Sequence, residues 1–492
     1  MTDKQMADYL EKIDSVIENG KYKADWQSLA EYPVPQWYKD AKFGIFIHWG
    51  IYSVPAYFSE WYCRFMYYKG NPAYWHHLRK YGKSFNYRDF IPMFRAENFN
   101  AGEWVDFVQS SGAKFIMPVG EHHDGFKMYS SDLSEWNSVN MGPKRDILAE
   151  IKDACEKTGM IFSTSSHRAE HFWFMNGGST VGYDNETQND KYRELYGECK
   201  NVHKANNLFT MLKQEHGIEP TQKWLCDWLV SSCDLIDRYQ PASLFFDWWV
   251  SYKAFRPYMK KFLAYYYNRS LEWGKEVCVY YKSDAVMYNC AVFDRERGQL
   301  ENISPYIWQG ETSTAYNAWS YCTTNIFKKP EIIACNLLDV ISKNGCFVLN
   351  LGPKADGTFC EQEKNIVDKI GEWTKKNAEA IWGTQPYKIF GEGKKQKGGS
   401  FNEHFSYTSK DYRFTCKTGA VYAFALKPEG KSEFKIKSLA DSMDMFHCVI
   451  KNITVLGTGE KTSFSQNKKA LTVNLKEKCR ETMPICFRIE VD

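Results

Sequence analysis

Short apolar segments alternate with amphipathic helical segments through residue 385 of this 492-residue chain. Helical segments such as RDILAEIKDACEKTG repeat apolar residues at i, i+3 and i+4, and several end in Gly before the next strand. Strands that are apolar throughout and separated by helices predict a parallel sheet buried on both faces. The six clearest strands are FGIFIHWG (43–50), KFIMPVGEHH (114–123), MIFSTSSH (160–167), SLFFDWWV (243–250), VCVYYKSD (277–284) and FVLNLGP (347–353).

Two features favour a closed (β/α)8-like barrel over a doubly wound sheet. No strand is followed by the Gly-rich phosphate loop that opens a dinucleotide-binding unit. Polar residues also follow at least five strands, and barrels collect their chemistry from many strand ends on one face. Six clear strands leave closure into eight as an expectation. The polar residues are His48, Glu121, His122, His123, His167, Asp247, Asp294 and Glu296.

The pattern of apolar and polar residues changes after the helical segment EQEKNIVDKIGEWTKKNAEAIWG. A Gly/Lys-rich loop, GEGKKQKGGS, leads into alternating segments such as AVYAFAL, EFKIKSL and ICFRIEV, which are typical of antiparallel strands. We therefore expect a catalytic barrel in residues 1–387 and a C-terminal antiparallel β-sandwich domain in residues 388–492.

The charge balance excludes two classes of partner. Sixty-three basic and 60 acidic residues give a net charge of +3, so neither a nucleic-acid groove nor a polybasic membrane surface is expected. No window approaches the ~20 apolar residues of a membrane span. Aromatic residues make up 16% of the chain. Most should lie in the core, but flat rings also suit a cleft that binds sugars.

The 15 cysteines are odd in number and lack CxxC or zinc-ligand spacing. Reduced thiols in the cytoplasm are the simpler interpretation. The N-terminus MTDKQMADYLEK has no apolar signal segment. A secreted or periplasmic protein whose signal peptide had been removed would look the same. The sequence also leaves a homo-oligomer open.

Asp247 is the strongest single candidate for a functional residue, because it is the one carboxylate in the apolar and aromatic run SLFFDWW and follows its strand-like part. Burying an unpaired charge is costly, so this residue needs either a structural partner or a function. One interpretation is a buried salt bridge or a helix cap. The other is a nucleophile or base at a strand end, with Trp248 and Trp249 helping to exclude water.

Glycoside hydrolysis needs a second carboxyl group across the scissile bond. Arg295 and Arg297 flank Glu296, and cations lower a carboxyl pKa, which disfavours an acid role unless burial outweighs them. A solvated ion-pair loop is the plainer alternative. The candidates after Asp247 are Asp294, Glu296, Glu301 and Glu311.

Adjacent histidines in EHHDGF (121–126) follow another strand. A metal site is one interpretation, but there is no HExxH helix and no further ligand at a typical spacing. Hydrogen bonding to a polyhydroxylated substrate needs no ion, and we expect no metal. His48 follows FGIFI, where a buried structural histidine is the alternative.

Together these segments resemble glycoside hydrolase family 29, the α-L-fucosidases. The resemblance covers roughly residues 35 to 385 and rests on long motifs in a fixed order. They are WYKDAKFGIFIHWGIYSVPAYFSEWY (37–62), FNAGEWVDFVQSSGAKFIMPVGEHHDGFKMYSS (99–131), the Asp247 strand and VISKNGCFVLNLGPKADG (340–357).

The resemblance implies roles for individual residues. Asp247 is similar to the family nucleophile. An apolar pocket around the C5 methyl group of fucose would desolvate a hydroxyl at a cost. The residues that resemble the hydroxyl-binding set are His48, Glu60, His122 and His123. Those that resemble the methyl pocket are Phe46, Trp61 and Trp319.

The acid/base varies between branches of this family. The motif DRERG is similar to a bacterial branch that uses the ERG glutamate, which favours Glu296 and leaves Glu311 in reserve. Many members have a Tyr-rich YYS after the third strand, whereas this chain has IFSTSSHRAEHFWF. His167, Glu170 or His171 is expected to replace the lost tyrosine contact or to reshape the leaving-group site.

The resemblance implies a retaining exo-α-L-fucosidase that acts on fucosylated oligosaccharides or glycoconjugates by double displacement and needs no cofactor. Retention predicts carboxyl groups ~5–5.5 Å apart. Three alternatives remain: an exo-glycosidase for another fucose-configured sugar such as an α-L-galactoside, a non-catalytic sugar-binding barrel, and a metal-dependent hydrolase that uses His122 and His123.

Overall fold

The computed structural model describes residues 1–175, 185–198, 218–441, 446 and 448–492. Parallel strands form its first sheet, and all of them are short. These strands are β1 (Phe43–Ile47), β2 (Phe115–Glu121), β3 (Ile161–Phe162), β4 (Thr164–Ser166), β5 (Ser243–Phe246), β6 (Cys278–Tyr281), β7 (Val292–Glu296), β8 (Trp308–Ser313) and β9 (Gly345–Leu351).

The sheet closes into a barrel. Its strand order is β1-β9-β8-β7-β6-β5-β4-β2-β3, and β1 also pairs with β2 in parallel. β3 and β4 are two pieces of one strand position, because both pair with β2 and only residue Ser163 separates them. Eight positions therefore close the ring. The expected (β/α)8-like barrel is confirmed.

Helices connect the strands and cover the barrel. The helix Ile147–Thr158 shows why the sequence forms them: Asp146 caps its first turn by accepting from the Ala149 amide, and Gly159 ends it in the left-handed conformation. The α-helices are Asp3–Asn19, Trp26–Leu29, Gln36–Ala41, Tyr62–Phe65, Pro72–Lys80, Ala101–Ser110, Ile147–Thr158, Arg168–Phe174, Arg193–Tyr196, Gln222–Tyr239, Arg256–Trp273, Pro330–Ser342, Glu361–Lys376 and Ala378–Ile381. In the described ranges no helix is both long and apolar enough to cross a bilayer.

Strands β7 and β8 were missing from the six strands that the sequence identified. Their sequences, VFDRE and WQGETS, contain no continuous apolar run. Every residue of β8 is nevertheless buried, as are Asp294 and Glu296 of β7. These two strands carry carboxylates and an amide in the barrel interior, so the apolar pattern that marks a buried strand is absent from them.

Antiparallel strands follow the barrel. A five-stranded sheet has the order β10-β11-β12-β17-β14, and a three-stranded sheet has the order β13-β16-β15. Phe434 and Phe487 bring the two sheets together, with ring centroids 5.0 Å apart, so the expected β-sandwich is present. The strands are β10 (Gln385–Glu392), β11 (Tyr412–Lys417), β12 (Ala420–Ala425), β13 (Glu433–Ile436), β14 (Ile450–Val455), β15 (Ser463–Gln466), β16 (Leu471–Asn474) and β17 (Ile485–Val491). The boundary expected between residues 387 and 388 falls inside β10.

A buried ion-pair network joins the barrel helices to the larger sheet. Asp339 lies on the helix Pro330–Ser342 and Arg413 on β11, and Arg413 Nε lies 2.7 Å from Asp339 Oδ1. Lys343 Nζ lies 2.8 Å from the other carboxylate oxygen. All three side chains are at most 2% exposed. One carboxylate therefore neutralises two cations that water does not reach.

We expect Asp339→Asn to lower the free energy of unfolding by about 3–5 kcal/mol, because it leaves Arg413 and Lys343 buried without a counter-charge. The matched control is Glu372→Gln, which breaks an exposed pair with Lys369 and should cost less than ~1 kcal/mol. Urea denaturation followed by circular dichroism measures both. Equal denaturation midpoints for Asp339→Asn and wild type would contradict this account.

Candidate active site

A polar pocket opens where the barrel strands end. It encloses about 210 Å³, and strand ends on this face are where barrels place their chemistry. Eleven of the candidate site residues from the sequence line it, whereas Asp294, Glu301, Glu170 and His171 do not. The lining residues are Phe46, His48, Glu60, Trp61, His122, His123, His167, Phe245, Asp247, Trp248, Lys282, Glu296, Glu311, Trp319 and Phe401.

Asp247 follows β5 directly and is held by three positively charged or hydrogen-bonding groups. Lys282 Nζ lies 2.8 Å from Oδ1, while His167 Nδ1 and His123 Nε2 lie 3.2 and 3.4 Å from Oδ2. Burial alone would raise the pKa of this carboxyl. Lys282 and the two histidines outweigh burial and lower the pKa well below its usual value. Asp247 is therefore ionised at neutral pH.

Lys282, directly after β6, contacts three carboxylates at once. Its Nζ lies 2.6 Å from Glu296 Oε2 and 3.0 Å from Glu311 Oε1, in addition to Asp247. Since Asp247 and Glu296 share this nitrogen, the two contacting oxygens are separated by at most the sum of the two distances, about 5.4 Å. This limit is below the ~6.5–9.5 Å of an inverting carboxyl pair and is compatible with the ~5–5.5 Å of a retaining pair.

Glu296 points into the pocket from the end of β7, and its neighbours in sequence point elsewhere. Its Oε2 accepts from Trp248 Nε1 at 2.8 Å as well as from Lys282. Arg297 Nη1 instead lies 3.0 Å from Glu403 and its guanidinium packs over the Trp319 ring. Arg295 packs over the ring of Phe293. The sequence suggested Arg295 and Arg297 as the cations beside Glu296, whereas in the structure the cation that contacts it is Lys282.

Glu311 and Asp294 form a second, more deeply buried carboxyl pair. Gln309 Nε2 donates to Asp294 Oδ1 at 2.8 Å. Burial raises the pKa of Asp294 to about 7. Burial also raises the pKa of Glu311 well above its usual value, and the neighbouring Asp294 raises it further. Both effects favour the protonated form of Glu311. Its oxygen nearest Lys282 lies no more than about 5.8 Å from Asp247 Oδ1, so distance alone does not separate it from Glu296.

Glu170, on the helix that follows β4, supports His123 from behind the pocket. His123 Nε2 lies 3.2 Å from Glu170 Oε2, and its Nδ1 lies 3.2 Å from the carbonyl oxygen of His167. A carbonyl oxygen only accepts, so Nδ1 carries a proton, and Nε2 faces two carboxyl groups. Burial lowers the pKa of His123, but Glu170 and Asp247 outweigh it and raise the pKa. The imidazole thus donates towards Asp247.

His48 and His122 face the pocket as neutral imidazoles. Burial lowers the pKa of each well below its usual value, and neighbouring histidines lower it further. His48 Nδ1 lies 2.6 Å from Asn350 Oδ1, which orients its ring. Neutral imidazoles offer both a donor and an acceptor, as hydrogen bonding to sugar hydroxyls requires.

Glu60 and a set of aromatic rings complete the pocket. Glu60 Oε2 accepts from the amides of Trp319 at 2.9 Å and Ser320 at 3.2 Å, which fixes the loop after β8. The rings of Trp319 and His48 lie 5.3 Å apart, and Phe46 lies 4.6 Å from His48. Apolar walls therefore stand beside hydrogen-bonding groups.

Two groups of side chains have spacings that would suit a metal ion. The ligand atoms of each group lie within 4.8 Å of one another, and His167 belongs to both. His167 Nε2, however, lies 3.0 Å from Ser165 Oγ and its Nδ1 contacts Asp247. An ion would have to replace one of these bonds, and Lys282 already supplies positive charge to Asp247. The groups are His48, His122 and His167, and His123, His167 and Asp247.

Phe245, Lys282 and Phe401 are the pocket residues that the sequence analysis did not single out. Lys282 follows the apolar strand CVYY just as Asp247 follows SLFF, so the same signal was present. Phe401 belongs to the loop after β10, far along the chain from the strand ends. Its only sequence signal is an aromatic residue directly after the loop GEGKKQKGGS.

A closed barrel that holds two carboxyl groups this close together, beside aromatic walls, has the site of a glycoside hydrolase. Residues 9–379 match the family model described as Alpha-L-fucosidase. The chain therefore belongs to the α-L-fucosidase family.

Individual relatives agree over most of their length. The chain is 28% identical over 397 residues to the tissue alpha-L-fucosidase of Rattus norvegicus, covering 76% of this chain and 75% of the relative. It is 28% identical over 431 residues to the plasma alpha-L-fucosidase of Homo sapiens, covering 83% and 79%. The crystal structure of the Thermotoga maritima alpha-fucosidase in complex with fucose has a TM-score of 0.74 and 26% identity, covering 95% and 100%.

Replacing Lys282 by Met should raise the pKa of Asp247, because the ammonium is its nearest counter-charge. A carboxyl with a higher pKa is protonated sooner as the pH falls, so the acidic limb of kcat/KM should move to higher pH. We expect a loss of roughly 100-fold at neutral pH. Hydrolysis of a chromogenic α-L-fucoside across pH 4–8 measures both effects.

Lys282→Arg retains the charge and should keep the acidic limb near its wild-type position. Lys253→Met removes a charge from an exposed lysine and serves as the matched control. If the limb of Lys282→Met coincided with that of wild type, Lys282 would not control Asp247.

Proposed function

We propose that this protein is a retaining exo-α-L-fucosidase that releases terminal α-L-fucosyl residues by double displacement. One observation carries the proposal. The ionised Asp247 and the carboxyl group of Glu296 both contact the ammonium group of Lys282, and their contacting oxygens are no more than about 5.4 Å apart. This upper limit is shorter than the ~6.5–9.5 Å of an inverting pair, which needs room for a water molecule between its carboxyl groups.

In the first step, Asp247 attacks the anomeric carbon and the bond to the leaving oxygen breaks. Glu296 gives its proton to that oxygen, so the leaving group departs as a neutral alcohol. Trp248 and Lys282 both contact Oε2 of Glu296. We therefore assign the transferred proton to Oε1.

In the second step, Glu296 takes a proton from water, and the resulting hydroxide displaces Asp247 from the anomeric carbon. Two displacements on opposite faces retain the anomeric configuration, and Glu296 regains the proton that it gave up. Lys282 stabilises Asp247 again as its negative charge returns.

The choice of sugar rests on the pocket walls and on the relatives. Phe46, Trp61 and Trp319 present apolar surface next to the histidines, which suits a methyl group and penalises the C6 hydroxyl of an α-L-galactoside. The Thermotoga maritima relative was solved with fucose. Fucosylated glycans are accordingly the substrate class that we propose.

Asp247→Ala should lower turnover of a chromogenic α-L-fucoside by roughly 10⁴-fold, because it removes the nucleophile. Sodium azide is small enough to enter the vacated space. It should restore turnover and yield the β-L-fucosyl azide, since a single displacement inverts the configuration. Product stereochemistry by NMR measures this outcome, and wild-type turnover by Asp247→Ala would overturn the proposed function.

Glu296→Ala should give a different signature. With a nitrophenyl leaving group the first step needs little acid assistance, so a burst of nitrophenol should precede slow hydrolysis, with kcat lowered roughly 10²–10⁴-fold. Azide should then attack the fucosyl-enzyme and yield the α-L-fucosyl azide. Glu311→Gln replaces a carboxyl whose raised pKa favours its neutral form by a neutral amide, and it should stay within a few-fold of wild type. Finding the burst and the α-azide in Glu311→Gln instead would transfer the acid/base role to Glu311.

A further inference from the structure

A loop from the C-terminal part of the chain lies against the end of β7. Gln299 and Gly399 exchange backbone hydrogen bonds of 3.2 and 3.0 Å, like paired strands. The amide of Phe401 donates to the carbonyl oxygen of Glu296 at 3.0 Å, and that of Asn402 donates to Arg297 at 2.9 Å. Four backbone bonds thus fix this loop to the segment that carries Glu296.

The close approach of the two segments depends on glycine. A Cβ atom at Gly298 would lie 1.9 Å from the carbonyl oxygen of Gly399, so a side chain at Gly298 would push the loop away. The loop is also anchored by charge, because Glu403, whose side chain is 6% exposed, contacts Arg297 at 3.0 Å and Lys328 at 2.8 Å. The position of the loop is therefore set by backbone and ionic contacts rather than by the Phe401 side chain.

Phe401 itself is presented to solvent. It is 59% exposed and has a φ of 54°, the left-handed region that is unfavourable for a residue other than glycine. Its ring is nearly parallel to that of Trp248, at an interplanar angle of 10° and a centroid distance of 6.1 Å. Two parallel aromatic faces thus stand at the mouth of the pocket.

Both rings lie on the side of the pocket that holds the proton donor. Trp248 donates to the Glu296 carboxylate, and Phe401 donates to the Glu296 backbone. The acid/base contacts the oxygen of the departing group, so whatever surrounds Glu296 at the mouth faces that group. We infer that Phe401 and Trp248 form a leaving-group subsite that binds the pyranose ring attached to the fucose. This inference rests on the proposed function and adds to it.

The chemistry of the subsite selects its ligand. The faces of aromatic rings are electron-rich, and the C–H groups on one face of a pyranose carry partial positive charge, so the two stack favourably. An exposed Phe offers no hydrogen bond that would read an individual hydroxyl. The subsite should therefore favour glycans over small alkyl fucosides, and a sugar with an unobstructed C–H face over one whose face is blocked by axial hydroxyls.

The test compares Phe401→Ala with wild type on two kinds of substrate. One is α-L-fucosyl fluoride, whose leaving group is too small to reach Phe401. The other is a panel of disaccharides in which α-L-fucose is linked to galactose or N-acetylglucosamine. We expect kcat/KM for the disaccharide that wild type prefers to fall roughly five- to tenfold, while kcat/KM for the fluoride stays within about twofold.

Two further variants separate stacking from general apolar contact. Phe401→Tyr keeps the ring and should restore disaccharide hydrolysis, whereas Phe401→Leu keeps an apolar side chain without a ring and should not. Tyr306→Ala, which removes a ring that is 42% exposed outside the pocket, is the matched control and should leave both substrates unaffected.

The outcomes distinguish the two proposals. If wild type hydrolyses neither the fluoride nor any disaccharide, the proposed function fails. If it hydrolyses the fluoride but no disaccharide, or if Phe401→Ala affects both substrates equally, the fucosidase assignment stands and the leaving-group subsite is refuted.

Discussion

The single ammonium group of Lys282 makes the remainder of the site possible. Asp247, Glu296 and Glu311 converge within 3.0 Å of it, and all three are buried. Placing one of these charges in the barrel without a partner would cost several kcal/mol. One cation cannot neutralise every carboxylate, and the pKa of the most deeply buried of the three, Glu311, is raised well above its usual value by burial and by Asp294. Lys282 therefore balances the charge of Asp247, the proposed nucleophile, and also contacts Glu296, the proposed acid/base.

The histidines then decide how Asp247 is oriented. His123 and His167 both reach Oδ2, while Lys282 holds Oδ1, so the carboxylate is fixed at both oxygens. Glu170 extends this chain by one step, because it faces His123 Nε2 and favours the protonated imidazole. The segment after the third strand is where the chain departs from the YYS of many family members. It places His167 against Asp247 and Glu170 against His123. Its third candidate, His171, instead lies 2.8 Å from the carbonyl oxygen of His123.

Much of the fold and of the candidate site could be predicted from the sequence, and the failures have physical causes. Asp247 could be predicted as a site residue because a charged side chain directly after an apolar strand needs a partner or a function. The same argument applies to Lys282 and would have identified it as well. The strands β7 and β8 were not predicted because their interior positions carry Asp294, Gln309 and Glu311 in place of apolar residues. Phe401 could not be placed by local pattern at all, since only the backbone pairing of distant segments brings it to the pocket.

Phe401 lies on a loop from the C-terminal part of the chain, whereas the charged groups of the site lie on the barrel strands and their ends. The charged groups stand at the ends of parallel strands, where neighbouring backbones fix them and small displacements would disturb the balance around Lys282. The aromatic face at the mouth comes from a loop that touches β7 mainly through backbone atoms and through Glu403. Side-chain changes at position 401 can therefore alter which leaving groups bind without moving Asp247 or Glu296. Changes at Gly298 cannot, because that residue sets the distance between the loop and the strand that carries Glu296.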